Sequence, residues 1–225
     1  MSQPSDTGAD PTAEQGGPAG KGFWVFGYGS LMWRPGFPYL ERRLARLKGY
    51  RRAFKLRSVR YRGTPEAPGL VLGLDWDPNA SCTGMAFRVC PTKGDGVRQY
   101  LAERELVTRS YFEVLHPVTL MAEGERPDEP AEAICYVLDR MHPQYAGDLD
   151  LEGQARIIAR AAGPMGPNAD YLHNTVAELE AIGIEDRELM ALDRAVRALA
   201  TGEATGEAAK GAAAGAAAEE DQPIS

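Results

Sequence analysis

The chain has 225 residues, of which 44% are hydrophobic and 25% are charged. These are values of an ordinary globular protein, and they exclude both a fully disordered chain and a coiled coil. The formal net charge of -7 argues at first sight against a dedicated nucleic-acid-binding protein, because such proteins neutralise phosphates with basic residues. The length predicts one domain of good size.

The two ends of the chain differ in composition from its middle. Residues 1–20 are rich in Gly, Pro, Ser, Asp and Gln, and residues 201–225 are rich in Ala, Gly and Glu. Such segments bury too little apolar surface to offset the entropy of ordering, so we expect two disordered tails around a domain at residues 21–200. The tails carry charges of -3 and -4, which leaves the domain neutral. Within it, residues 21–62 hold 12 basic residues against Glu41 alone.

Nothing in the sequence predicts a membrane-bound or secreted protein. No stretch approaches the roughly 20 apolar residues that span a bilayer, and residues 1–20 lack the apolar segment of a secretion signal. Cys82, Cys90 and Cys135 lack the spacing of a disulfide framework or a zinc site, and the histidines are scattered. We therefore expect a cytoplasmic protein with no metal.

The predicted elements fall into two groups along the chain. Strands come first, as short runs rich in Val, Phe, Tyr and Leu, at residues 23–28, 47–56, 70–76, 85–89, 114–121 and 133–138. One helix at about 96–107 interrupts them, and three helices with apolar residues at helical spacing follow between 151 and 199. Strands followed by helices predict an α+β fold on an antiparallel or mixed sheet that can curl into a barrel.

The densest motif follows the first predicted strand and reads Phe26-Gly27-Tyr28-Gly29-Ser30-Leu31. It is not a dinucleotide-binding fingerprint, because Met32 stands where the third glycine is needed and prolines follow in place of a helix. It also lacks the spacing of a phosphate-binding loop or a nucleophile elbow. Two interpretations stay open: a tight turn, or a strand end whose exposed N–H groups approach an anion or a developing oxyanion.

Glu103 and Glu105 are candidate acid–base residues in the first predicted helix. Residues two apart on a helix point about 200° from each other, so at most one of the two can face a site. Glu105 lies four residues from Leu101 and therefore beside the apolar face, where burial raises the proton affinity of a carboxylate. The alternative is that both carboxylates are solvated.

The segment 42–62 carries ten Arg and Lys residues interleaved with Tyr50, Phe54 and Tyr61. On a strand, the alternation of side chains puts part of this set on one exposed face. Such a face is compatible with RNA, with an anionic small molecule, or with a solvated edge strand.

Several further blocks follow the glycine-rich run in order. They are Gly49-Tyr50-Arg51-Arg52, Arg62-Gly63-Thr64-Pro65, Tyr100-Leu101 with Arg104-Glu105, Pro143-Gln144-Tyr145-Ala146-Gly147, and residues 163–168. Together these blocks make the chain, from residue 23 to about residue 199, resemble the ChaC family of glutathione-specific γ-glutamylcyclotransferases. The tails lie outside the resemblance.

The resemblance implies a fold, an activity and site residues. The fold is a curled, barrel-like mixed sheet with flanking helices, and the activity is that of a carbon–nitrogen lyase that converts glutathione into 5-oxoproline and Cys-Gly without a cofactor. Glu105 is implied as the catalytic carboxylate, and the run Phe26, Gly27, Tyr28, Gly29, Ser30 and Leu31 as the part that binds substrate. Tyr145 is implied as a further pocket residue through its hydroxyl.

Three expectations complete the sequence-based hypothesis. We expect Arg52 and Arg62 to bind the glycine carboxylate of glutathione, because Arg binds carboxylates in a bidentate manner. We expect a monomer or a weak dimer that uses a small-molecule substrate, with no nucleic acid and no membrane as partner. The alternatives are a cyclotransferase for other γ-glutamyl amines or dipeptides, and a non-catalytic polyanion-binding module that uses residues 42–62.

Overall fold

The computed structural model describes residues 22–106 and 109–202. The predicted N-terminal tail, and residues 203–225 of the predicted C-terminal tail, lie outside the described residues. Thr201 is the last residue of the last helix, and Gly202 is its C-cap.

Five strands close into a barrel: β1 (Phe23–Gly27), β2 (Glu41–Ser58), β3 (Gly69–Val89), β4 (Tyr111–Leu120) and β5 (Glu129–Leu138). Their order around the barrel is β1-β3-β2-β4-β5. The barrel closes where β5 pairs in parallel with β1, and β5 also meets β3 in parallel at Leu74 and Val137. The remaining pairs are antiparallel, so the predicted mixed sheet is confirmed.

Two strands that the sequence predicts separately, 70–76 and 85–89, belong to the single long strand β3. The sequence predicts that the first of these strands ends before Asp77 and Pro78, because both are typical turn residues. In the structure, residues 77–80 have no partner in the β2 register, because pairing passes from Lys48–Ser81 to Tyr50–Trp76. Gly49 lies opposite this irregularity with φ +82°, a conformation that favours glycine.

The basic segment is distributed over several surroundings and does not form one face. Arg43 is 2% exposed and donates to Glu129 Oε2 at 2.9 Å and to the carbonyl of Met121 at 2.7 Å. Arg52 and Lys55 are also buried. β2 begins at Glu41, earlier than the predicted residue 47, and Arg43 lies in this added part. A buried arginine at an inward position interrupts the apolar alternation by which a strand is predicted.

Four helices complete the fold: α1 (Gly94–Glu105), α2 (Leu151–Arg160), α3 (Asn168–Ala181) and α4 (Arg187–Thr201). Two begin at aspartate caps, where Asp150 accepts from the N–H of Gly153 at 2.7 Å and Asp186 from that of Leu189 at 3.1 Å. The short strands β6 (Ala162–Gly163) and β7 (Gly166–Pro167) form a hairpin before α3.

The main core combines the barrel with the apolar faces of the helices. Phe26, Phe54 and Phe87 are almost fully buried on the strands, and Ile158 and Leu172 are fully buried on α2 and α3. Burial of such side chains stabilises the fold by about 1.5 to 3 kcal/mol each. Among the described residues no helix is both long and apolar enough to cross a bilayer.

Candidate active site

A cavity of about 670 Å³ opens where the end of β1 meets β2, α1 and α3. Its wall includes the turn at 28–31, the end of β2 with the following loop at 56–62, the end of α1 at 103–105, Tyr111 of β4, Tyr136 of β5, and Tyr171, Asn174 and Glu178 of α3. The other lining residues are Trp33, Arg34, Val71, Leu72, Gln144 and Met165. The glycine-rich run and the acidic end of α1, separated by about 75 residues in sequence, therefore meet in one place.

The turn after β1, at residues 28–31, lines this cavity. β1 ends at Gly27, and a single turn of 3-10 helix begins at Ser30. A Cβ atom at Gly27 would lie 3.0 Å from the Cβ of Leu31, so glycine permits this close return of the chain. The first N–H groups of such a helix, those of Ser30 and Leu31, have no acceptor within the helix. The turn can therefore offer them to an anionic or carbonyl oxygen.

Glu105 is the last residue of α1, and its side chain is 19% exposed. Burial raises the pKa of this carboxyl above its ordinary value, although the charge and the hydrogen bond of Arg104 act in the opposite direction. The Nε atom of Arg104 lies 3.1 Å from Glu105 Oε1. A carboxyl with a raised pKa beside a cavity is suited to accept a proton from a bound substrate and to return it.

Four tyrosines line the cavity around Glu105. Burial raises the pKa values of Tyr28 and Tyr111 well above the ordinary value, and it raises the pKa of Tyr171 to about 12. The negative charge of Glu105 adds to this effect in all three, and also raises the pKa of Tyr136. These phenols therefore stay protonated and act as O–H donors; the Tyr111 hydroxyl donates to the carbonyl of Leu72 at 2.7 Å.

Glu103, the alternative carboxylate, has different surroundings. It also reaches the edge of the cavity, but its side chain is exposed and accepts from Gln99 Nε2 at 2.9 Å. The opposite orientation of the two glutamates follows from their helical spacing.

The two arginines expected to bind a carboxylate lie in different places. Arg52 is buried under the turn, where it donates to the carbonyl of Tyr28 at 2.5 Å, to that of Thr83 at 2.6 Å and to Asp186 at 2.9 Å. Its donors are thus committed to the fold, and the expectation that Arg52 binds substrate does not fit this geometry. Arg62 lines the cavity and donates to the carbonyl of Met165 at 2.6 Å.

Tyr145 lies behind the cavity and not in its wall. The sequence implied that its hydroxyl faces the substrate, but this hydroxyl donates to Asp75 Oδ1 at 3.2 Å. The neighbouring Gln144 does line the cavity, and it donates to the carbonyl of Arg57 at 3.1 Å. Tyr145 is therefore adjacent in sequence to a lining residue but does not line the cavity itself.

Phe26 and Gly27, the first two residues of the glycine-rich run, support the turn from below. The side chain of Phe26 is fully buried and packs in the core, and Gly27 belongs to the end of β1. The remaining residues of the run, Tyr28 to Leu31, line the cavity.

Sequence reasoning did not find Tyr111, Tyr136 and Tyr171, nor the lining arginines Arg57 and Arg60 as a pair. Tyr111 lies outside the predicted strand at 114–121, and only the closed barrel brings Tyr111 of β4 and Tyr136 of β5 to the same cavity as the end of α1. Within residues 22–106 and 109–202, no group of three or more His, Cys, Asp or Glu side chains is gathered so that it could hold a metal ion.

Comparisons with known proteins agree with this geometry. The family model described as "ChaC-like protein" matches residues 23–199. "Gamma-glutamylcyclotransferase 2-3" of Arabidopsis thaliana is 34% identical over 177 residues, which cover 77% of this chain and 88% of the relative. "Glutathione-specific gamma-glutamylcyclotransferase" of Escherichia coli is 35% identical over 176 residues, which cover 78% of this chain and 73% of the relative.

A solved structure supports the fold independently. The crystal structure of a γ-glutamyl cyclotransferase specific to glutathione from yeast superposes with a TM-score of 0.69 at 24% identity, and covers 79% of this chain and 96% of that one. With a family model that matches most of the chain and relatives above 30% identity over most of their length, this chain belongs to the ChaC family.

Proposed function

We propose that this protein is a glutathione-specific γ-glutamylcyclotransferase, which cleaves glutathione into 5-oxoproline and Cys-Gly. One observation carries the proposal: Glu105, a largely buried carboxyl with a raised pKa, lies in the same cavity as the amides of the turn at 28–31. The printed names of the relatives support the reaction and its substrate.

The reaction is an intramolecular displacement. The α-amine of the glutamyl group attacks its own γ-carbonyl carbon, a five-membered lactam closes, and the bond to the cysteinyl nitrogen breaks. Nucleophile and electrophile belong to one molecule, so the protein contributes mainly by holding the glutamyl group in an attacking conformation.

Glu105 is the group that moves the protons. Two protons leave the α-nitrogen as the ammonium becomes a lactam nitrogen, and the departing cysteinyl nitrogen gains two when it leaves as an ammonium. A single carboxylate can take a proton from the first nitrogen and return it to the second, so that no net proton is consumed. The raised pKa of Glu105 brings its proton affinity closer to that which both steps need.

The turn supplies the electrostatic part of the mechanism. Negative charge develops on the γ-oxygen as the amine attacks, and fixed N–H donors stabilise it most in a cavity that excludes water. The amides of Ser30 and Leu31 are the donors that we assign to this role, since the Tyr111 hydroxyl already donates to the carbonyl of Leu72. Phe26, Gly27 and Tyr145 support the cavity wall without touching substrate.

Arginines at the loop after β2 are assigned to the glycine carboxylate of glutathione. Arg57, Arg60 and Arg62 all line the cavity. Among the described residues, no hydrogen bond or ion pair engages the guanidinium of Arg57 or Arg60, whereas one nitrogen of Arg62 is held by the carbonyls of Met165 and Pro167. Free guanidinium groups beside a cavity favour an anionic substrate end.

The substrate assignment is tested with a panel of γ-glutamyl compounds. We expect glutathione to give 5-oxoproline and Cys-Gly in equal amounts by mass spectrometry, with a higher kcat/KM than γ-glutamyl amines or dipeptides that lack the glycine carboxylate. The Arg60→Gln variant should reduce the difference in kcat/KM between glutathione and these compounds. It should raise KM for glutathione but not for compounds that lack the glycine carboxylate. Absence of 5-oxoproline from every compound would remove the proposed function.

The rival of a polyanion-binding module has less support, because Arg43, Arg52 and Lys55 are buried in contacts of their own. It would require binding to RNA that weakens steeply with salt. A second inference concerns the location of the protein. We infer that it is cytoplasmic, since the three cysteines are free thiols, as in a reducing compartment. We also infer a monomer or weak dimer that uses neither nucleic acid nor membrane, and gel filtration at several concentrations tests the oligomeric state.

A further inference from the structure

Arg104 makes an unusual number of contacts with the segment that follows β1. Its Nη2 atom donates to Ser30 Oγ at 2.8 Å, inside the glycine-rich turn. Its Nη1 atom donates to the carbonyl of Arg34 at 2.8 Å and lies 3.3 Å from that of Pro35. One guanidinium therefore holds the turn at its start and the chain just beyond it.

The same side chain also holds the carboxyl at the end of α1. Its Nε atom pairs with Glu105 Oε1 at 3.1 Å, and its Nη1 atom donates to the hydroxyl of Tyr100 at 2.8 Å. Tyr100 in turn packs directly against the chain at Gly36, where a Cβ atom would collide with its hydroxyl and where φ is +74°. The segment after the turn is thus seated on α1 around Arg104.

These contacts leave Arg104 poorly suited to bind substrate itself. All three of its nitrogens already have acceptors within the protein. By contrast, no ion pair or hydrogen bond within the described residues engages the guanidinium of Arg57 or Arg60, which line the same cavity. An arginine fork fixes several acceptors in one plane, which a lysine cannot do.

We propose that Arg104 is a positioning residue that couples the two halves of the site: it fixes the turn at Ser30 and orients Glu105 through one rigid guanidinium. This inference rests on the proposed function, in which the turn binds the glutamyl group and Glu105 moves the protons. A displacement of about 1 Å between reacting groups can cost about 100-fold in rate, so the coupling matters for turnover.

Arg104 is also the cation that opposes the effect of burial on Glu105. Burial raises the pKa of Glu105, and the charge and hydrogen bond of Arg104 lower it. The other titratable groups that interact with Glu105 are tyrosines on different elements: Tyr28 after β1, Tyr111 on β4, Tyr136 on β5 and Tyr171 on α3. These phenols are neutral and cannot replace the positive charge of Arg104. Loss of Arg104 therefore removes the cation that stabilises the Glu105 carboxylate.

Three variants separate positioning from general stability. Arg104→Gln removes both the charge and the fork, and Arg104→Lys keeps the charge but loses the fork. Arg98→Gln is the matched control, because Arg98 lies on the same helix and loses only an ion pair with Glu113, at 3.4 Å, and a stacking contact with Phe23. Each variant is measured for kcat, KM and the pH dependence of kcat/KM with glutathione.

We expect Arg104→Gln to lower kcat about 100-fold, with a smaller change in KM, and to move the acidic limb of the kcat/KM profile to higher pH. Arg104→Lys should lower kcat by about 10-fold, the size of effect seen when a residue that orients a functional side chain is replaced. It should keep the acidic limb of the kcat/KM profile near its wild-type position. Arg98→Gln should match the wild type in both respects. A rise in KM at constant kcat in Arg104→Gln would instead make Arg104 a substrate ligand and overturn the proposal.

A titration that needs no turnover distinguishes failure of this inference from failure of the proposed function. The Glu105 carboxyl carbon is followed by ¹³C NMR in protein labelled at glutamate, and its signal is assigned with the Glu105→Gln variant. Arg104→Gln should raise the pKa of Glu105 above its wild-type value, and Arg104→Lys should not. An unchanged titration in Arg104→Gln overturns the coupling whether or not the wild type acts on glutathione.

Discussion

Two carboxyls of this protein are buried beside cations, yet their pKa values are shifted in opposite directions. Glu105 lies at the cavity with Arg104 as its one cationic partner, and burial raises its pKa. Asp75, on β3, is 0% exposed and pairs with Lys55 at 3.0 Å and Arg140 at 2.7 Å. Burial alone would raise the pKa of Asp75 too, but hydrogen bonds from Arg140 and Lys55 and their charges lower it.

The difference between these sites is one of compensation. Asp75 receives two cations and the hydroxyl of Tyr145, so its charge is stabilised and the cluster acts as a fixed tie between β2, β3 and the segment after β5. The charge and hydrogen bond of Arg104 stabilise the Glu105 carboxylate less than burial destabilises it, so the pKa of Glu105 is raised. A carboxyl whose pKa is raised is better suited to exchange protons with a substrate than one whose pKa is lowered by two cations.

The largest expected effect is on turnover at Glu105. The Glu105→Gln variant should lose at least about 100-fold in kcat, the range for removal of a general acid–base group, while still binding glutathione. Kinetics and calorimetric binding measure the two quantities, and Glu152→Gln on the exposed face of α2 is the control expected to keep wild-type rates. Loss of turnover in Glu103→Gln, with Glu105→Gln active, would reverse the assignment.

The second effect is on stability at Asp75. The Asp75→Asn variant removes the buried partner of Lys55 and leaves only the exposed carboxylate of Asp148 beside it. The free energy of unfolding should therefore fall by about 3 kcal/mol, as measured by denaturant titration. The matched control is Asp148→Asn, because Asp148 contacts the same Lys55 nitrogen at 3.0 Å but is 98% exposed. An equal change in both variants would show that burial does not distinguish them.

The third effect is a pH dependence of stability with a defined sign. The folded pKa of Glu105 is raised, so its contribution to stability is complete below the unfolded pKa of about 4.3 and is lost as pH rises through the folded value. The Glu105→Gln variant cannot ionise, so it should gain stability relative to the wild type as pH rises through this window. Thermal unfolding at several pH values measures the difference, and a gain that shrinks with pH would contradict it.

The smallest effect is expected at Tyr145. The Tyr145→Phe variant removes a hydrogen bond to Asp75 and should lower the free energy of unfolding by about 1 kcal/mol. Because we propose that Tyr145 supports the cavity wall without touching substrate, kcat/KM should fall by less than about 10-fold. A larger loss of kcat/KM without loss of stability would place its hydroxyl at the substrate, as the sequence implied. Denaturant unfolding and steady-state kinetics of the same preparation decide between the two.

The sequence predicted the elements and local motifs better than the contacts between residues that are far apart in the chain. The strand-then-helix order and the apolar spacing of α2 and α4 predict the fold class, and the blocks around Tyr28 and Glu105 predict two parts of the site. The role of Arg52 could not be foreseen, because its acceptors include backbone carbonyls that only the folded turn brings near. The partner of the Tyr145 hydroxyl was hidden for the same reason, since Asp75 lies 70 residues earlier in the chain.

The opposite pKa shifts of the two carboxyls can be measured in one experiment. A ¹³C NMR titration of protein labelled at aspartate and glutamate follows both side chains, and the Asp75→Asn and Glu105→Gln variants assign their signals. We expect Glu105 to titrate above the ordinary pKa of a glutamate and Asp75 below that of an aspartate. A Glu105 that titrates at or below its ordinary value would contradict its assignment as an incompletely compensated base.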